Sequence, residues 1–442
     1  MKRILHSLSL LLSIAFIFSA CEGPMGPAGP PGANGTNGKD ANQTCTLCHN
    51  QNVVEKKETE YELSKHFYGT VAFEEAGRTP CTPCHTTEGF RYVVKNNVPA
   101  TFTLIATTGK YINNYSTVAT DAYGSLDCFT CHDNLHTTYT PADLMPLTTT
   151  APVPMNMWAA AKTIDLTQDS SFSNLCVKCH QPRPLTKSSS LSDGNVIDYI
   201  ALASNPEVVI YDSSVGNAAP NTIIPSFRMD NHYGTVGAIF AGKGGVEFAG
   251  SLSYESSFHT TGASCQDCHM TTISGTAGGH MFAAAGNFNG CNVAGCHNGG
   301  ISSSNTTFWK NPRANIMNLL DALALKINSI GGGTDILNIN PDPESNLWAG
   351  ETTNNYDGYI NLYDASSNPG GGFRNPAPSG SWTTAQKDYN NTLPVFPSLT
   401  NGELGAIINF QLCLREFSLG IHNYKYTQAL LQNSLDAMTA GV

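Results

Sequence analysis

Positive charge is what this chain has least of. Of its 442 residues only 23 are Lys or Arg, against 34 Asp or Glu, giving a formal net charge of −11 with charged residues at just 13%. Such a balance argues against nucleic acid or anionic lipid headgroups as partners and suits a basic protein partner better. With so little charge, the surface must be mostly uncharged polar, a role that the plentiful Gly, Ser, Thr and Asn can fill. The N-terminal apolar run, Leu8 to Phe18, is too short to cross a bilayer. Preceded by Lys2 and Arg3, it reads as the apolar centre of an export signal over residues 1–20.

The residues after that signal point to an anchor. Phe18-Ser19-Ala20-Cys21 resembles the lipobox of bacterial lipoproteins, in which the cysteine is acylated and becomes the new N-terminus. The expectation is an exported protein held by a lipid on Cys21 at the outer membrane, facing periplasm or cell exterior; the alternative is an ordinary cleaved leader with an incidental cysteine. Gly then recurs every third residue, at Gly23, Gly26, Gly29, Gly32, Gly35 and Gly38, with Pro24, Pro27, Pro30 and Pro31 between. Six triplets are too few to hold a collagen triple helix alone, so residues 21–44 read as a lipidated, extended spacer. Trimerisation through the repeat is the competing expectation.

Chemistry begins at Cys45. Five runs fit Cys-x-x-Cys-His: Cys45, Cys48, His49; Cys81, Cys84, His85; Cys128, Cys131, His132; Cys176, Cys179, His180; and Cys265, Cys268, His269. A sixth, Cys291 to Cys296 and His297, has four residues between its cysteines. Two thiols about one helical turn apart match the two vinyl groups of one porphyrin, and the imidazole that follows lies beneath the iron. Zinc sites do not require His directly after every second cysteine, and redox CxxC motifs do not recur five times in one chain. Six covalently bound haem c groups are therefore expected, with a disulfide as the alternative at the longer sixth motif.

Counting residues sharpens this. Of fourteen cysteines, twelve belong to the motifs, Cys21 to the lipid, and Cys413 remains as a buried thiol in an apolar helical pattern. Of thirteen histidines, His6 lies in the leader and six are the proximal ligands, which leaves His66, His136, His232, His259, His280 and His422, one distal ligand per haem. Imidazole on both faces makes an iron six-coordinate, with no open position for substrate. His136 is expected on a helical face just beyond its own haem, serving a neighbour. His259 has a second reading, as an acid lining a distal pocket. Met145, Met155, Met157 and Met229 are taken as packing residues.

Several segments carry a family likeness. Asn231-His232-Tyr233-Gly234-Thr235, Ser257-Phe258-His259, Cys265-Gln266-Asp267-Cys268-His269-Met270, Gly279-His280 and Gly420-Ile421-His422-Asn423 with Tyr426, Ala429 and Leu430 resemble the multihaem cytochrome lineage that includes pentahaem nitrite reductases and octahaem hydroxylamine oxidoreductases. Lys65 to Thr70 faintly echoes the His232 segment. The resemblance implies that His232, His280 and His422 bind iron distally. One departure matters: the chain has no CxxCK site, the motif of the lysine-ligated catalytic haem in the nitrite reductases.

The expected fold is mainly α with extensive irregular loops and little β, a multihaem cytochrome c architecture over residues 45–300. A C-terminal helical region, 301–442, would supply a distal His. Helices are expected at Pro312 to Ile330, Gly402 to Phe417 and Asn423 to Met438, and short strands at Thr101 to Thr107 and Val208 to Tyr211. The tail reads as a lid on the haem body, or alternatively as a separate binding domain. The function expected is electron transfer between redox protein partners, in a respiratory or extracellular chain. Two alternatives stay open: a reductase of a small nitrogen or sulfur oxyanion with one open haem, and a homo-oligomeric cytochrome filament.

Overall fold

A computed structural model describes residues 41–69, 81–97, 102–105, 110–113, 125–155, 162–183, 185, 197–212, 223, 229, 232, 234–331, 336–337 and 398–439. The leader, Cys21, the Gly-x-y repeat, Met157 and most of 332–397 lie outside them. The chain divides into two compact units, Met1–Thr46 and Leu47–Val442. In the first, the short helix Ala41–Cys45 is described.

The second unit is mostly helical with little sheet. Its longest helix, Asn311–Ser329, begins with Pro312, whose missing N–H falls where a helix has no acceptor for it. Ile316, Leu320, Leu323 and Ile327 repeat at helical spacing and form its buried face. The helix Asn401–Arg415 is started by a capping box: Thr400 Oγ1 accepts from the Glu403 amide at 3.2 Å, and the Glu403 carboxylate accepts from the Thr400 amide at 2.7 Å. It is buried on every side, the signature of a central helix. With Tyr424–Thr439 these two helices pack on one another. All three match the expected positions to within a residue or two at each end.

The same apolar cluster takes in Val153, Met155, Ile164, Tyr199, Met229, Ile239, Val246 and Phe248, so it draws on both the expected 45–300 segment and the expected 301–442 segment. Two buried asparagines tie irregular backbone to helix. Asn409 accepts from the Val246 amide and donates to the Val246 carbonyl, both at 2.7 Å, and Asn433 does the same with Leu252 at 3.0 and 2.9 Å. Each side-chain amide thus pairs both the N–H and the C=O of one residue. Gly405 permits this closeness, because a Cβ there would meet the Phe248 ring at 2.4 Å.

Sheet among the described residues amounts to three antiparallel pairs: Phe102–Ile105 with Lys110–Asn113, Val153–Met155 with Lys162–Ile164, and Val209–Asp212 with Ser398–Thr400. The first and third contain the strands expected near 101–107 and 208–211.

Candidate functional site

The five Cys/His motifs from Cys81 onward each build a tight turn of their own. Asp127 caps the helix Cys128–Cys131 by accepting from the Phe129 amide at 2.7 Å, and Ser264 with Asp267 forms a capping box for Cys265–His269. The motif histidine then folds back onto the first cysteine: the amides of His85, His132 and His180 donate to the carbonyls of Cys81, Cys128 and Cys176 at 3.2, 2.9 and 2.9 Å. The sixth motif reaches the same closure despite its two extra residues, the His297 amide donating to Cys291 O at 3.1 Å. Gly295, at φ 88°, absorbs the excess in a left-handed turn that a side chain would strain.

The six histidines outside the motifs then stand one against each motif histidine. The pairs are His49 with His136, His85 with His232, His132 with His280, His180 with His66, His269 with His422, and His297 with His259, with ring centres 5.7, 6.3, 6.4, 6.1, 6.2 and 6.1 Å apart. Four pairs have nearly parallel rings, 13–26°, while His66–His180 and His259–His297 cross at 59° and 77°. These partners lie up to 153 positions apart in the chain, which makes six separate matches hard to reconcile with accident.

Hydrogen bonds on the outer nitrogens fix which way the rings face. Nδ1 of His180, His259 and His269 lies 3.0, 2.6 and 2.8 Å from the carbonyls of Gly234, Ile421 and Phe282. A carbonyl oxygen only accepts, so the proton sits on Nδ1 and Nε2 is left with its lone pair. Burial reinforces the neutral form, pushing His66, His269 and His280 down to about 4. His132, His180 and His297 are also lowered, for the same reason. His422 is the exception: burial lowers it, but the Glu416 carboxylate at 2.6 Å from its Nδ1 outweighs that and raises it.

Backbone strain marks two of these positions. His136 and His232 have φ of 68° and 91°, in the left-handed region that costs a non-glycine residue about 1–3 kcal/mol. For His136 this corrects the expected helical face: the capped helix ends at Cys131, His132 is already extended, and His136 lies in a turn. That turn is gathered by Asp143, whose carboxylate accepts from the Thr138 and Tyr139 amides at 2.8 Å and from Thr138 Oγ1. His259 gives its Nδ1 proton to a carbonyl and turns the rest of its ring toward His297. Met155 and Met229 are buried in the apolar cluster, and Met145 is 71% exposed.

The histidine pairs fit a metal held between them. A metal–imidazole bond of about 2.0–2.1 Å puts trans nitrogens about 4 Å apart and ring centres about 6 Å apart, close to the spacing of five pairs. His49–His136 is tighter, Nε2 to Nε2 3.4 Å, and must open by about 0.6 Å. That pair is exposed, so little resists the shift. Elsewhere no three His, Cys, Asp or Glu side chains among the described residues converge on one metal-sized point. The thirteen cysteines from Cys45 to Cys413 are free thiols, twelve of them in the motifs. The Cys84 thiol interacts with that of Cys179, and Cys176 with Cys265, which puts the second and fifth motifs next to the fourth.

Residue pattern alone did not reveal the outer partners: Glu416, Glu60, and the carbonyls of Gly234, Phe282 and Ile421. Their one available signal is position, since Gly234, Phe282 and Ile421 each lie within two residues of a histidine outside the motifs, His232, His280 and His422. Each such loop therefore presents one imidazole and steadies another. No family model, curated protein or solved structure matches this chain.

Proposed function

We propose that this protein carries electrons on six covalently attached c-type haems, each with its iron held between two imidazoles. The observation that carries the reading is the pairing of every motif histidine with a histidine from elsewhere in the same chain. Thioethers to the twelve motif cysteines would fix the porphyrins, and each haem would supply a one-electron Fe(III)/Fe(II) couple. The protein's part is to turn Nε2 of each imidazole inward, with Nδ1 hydrogen bonds steadying His180, His259, His269 and His422, and to keep solvent from most of the rings.

An oxyanion reductase needs an iron with one open face, and a filament that borrows a ligand needs a chain one histidine short. With six pairs closed inside one chain, neither need arises. The acidic composition favours basic redox protein partners. The sequence at Cys21 supports export and lipid anchoring at the outer membrane, facing periplasm or exterior. The test is expression in a host able to attach haem c, followed by intact-mass measurement. Six haem masses per chain are expected, and none after replacement of all twelve motif cysteines by Ala. A wild-type chain without covalent haem would refute the proposal.

A further inference from the structure

The His422 imidazole is hydrogen-bonded to a buried carboxylate. Glu416 has no side-chain exposure, and its Oε2 receives the Nδ1 proton of His422 at 2.6 Å. Its carboxylate also accepts from Ser418 Oγ at 2.7 and 2.9 Å, from the Ser418 amide at 3.1 Å and from the Gly420 amide at 3.2 Å. Burial pushes this carboxyl up, but these donors together with His422 outweigh it and hold it below the usual range. The loop is wound tightly to achieve this: Phe417, Leu419 and Gly420 all have left-handed backbone, at φ 62°, 53° and 87°. Such strain survives only where surrounding contacts over-determine the conformation.

His180, His259 and His269, by contrast, use neutral backbone carbonyls as Nδ1 acceptors. Glu60 stands 3.6 Å from Nδ1 of His280, beyond hydrogen-bond length, and its charge is shared with Lys57 Nζ at 2.9 Å and the His280 amide at 3.0 Å. A carboxylate on Nδ1–H draws the proton away and leaves Nε2 a stronger donor, which favours the more positive oxidation state of a bound metal. In a low-dielectric interior this effect is larger than at a surface.

Resting on the six-haem reading, we infer that Glu416 is a positioning residue for His422 and makes the His269–His422 centre more reducing than a neutral partner on Nδ1 would leave it. The residue orients the ring as well, since His422 lies only 13° from the plane of His269.

The test is spectroelectrochemical titration of the haem-loaded full chain beside Glu416→Gln, which keeps the shape and a hydrogen-bond acceptor but removes the charge. One of the six midpoint potentials should move upward by clearly more than the other five. Six unchanged potentials in a variant with six haems would overturn the inference. Should Glu416→Gln fail to fold, Ser418→Ala removes a donor that spreads the carboxylate's charge, and the same centre should move downward; no movement overturns the inference equally. Absence of covalent haem from the wild-type chain is a different result, and it refutes the parent proposal.

Discussion

From Leu47 to Met145, the large hydrophobic side chains buried among the described residues are Phe90 and Val93, while Leu47, Leu63, Phe67, Tyr68, Phe129, Tyr139 and Met145 stand exposed. From Val153 onward the picture reverses: three helices and the segments wound around them bury a continuous cluster that includes Phe248, Ile316, Leu320, Ile407, Phe410 and Leu430. Among the described residues, one region builds an extended apolar core and the other buries only two large apolar side chains. Yet the weaker region holds two of the six motifs, most of a third, and the paired histidines His66 and His136. A porphyrin buries a large apolar face, so on the proposed function the haems supply the core that the described residues of 47–145 do not build among themselves.

The largest effect should come from withholding haem. Expressed without a maturation system, the chain should lose hydrogen-exchange protection across 47–145 while amides in Asn401–Arg415 and Tyr424–Thr439 stay protected. Equal protection in both regions, with and without haem, would break the comparison. Next in size, Phe410→Ala in the haem-loaded chain should cost about 3–5 kcal/mol in denaturant unfolding, because it opens a cavity in the self-made core. Thr400→Ala should cost about 1 kcal/mol through loss of the capping box. Least disruptive to the fold is His136→Asn at the exposed pair, since Asn tolerates left-handed backbone. It should leave the unfolding midpoint nearly unchanged while turning one haem in six high-spin, read as carbon monoxide binding to the reduced protein.

The two regions were also unequally legible in the sequence. Helical spacing of Ile316, Leu320, Leu323 and Ile327 announced the helix Asn311–Ser329, and the Cys/His motifs could be read directly, because both signals are local. The distal pairing is non-local. His280 meets His132, and His422 meets His269, through loops whose course depends on packing between distant segments. A matched count of histidines could suggest that partners exist, but not who faces whom. His136 was misread because a four-residue interval suggests a helical face, whereas the cap at Asp127 and the helix end at Cys131 leave it in a turn. Glu416 gave no warning, because a glutamate at the end of a buried helix carries no pattern that marks it as a histidine's partner.

The account rests on two-sided imidazole ligation at every iron, and electron paramagnetic resonance of the fully oxidised, haem-loaded chain tests that most directly. Crossed ring planes bring two iron d orbitals close in energy and widen the spread of g values, whereas parallel planes give an ordinary rhombic low-spin signal. Four nearly parallel pairs and two crossed pairs therefore predict low-spin signals alone, in a ratio of four rhombic centres to two highly anisotropic ones. A stoichiometric high-spin ferric signal would mean that one pair does not close on its iron, and would contradict the account.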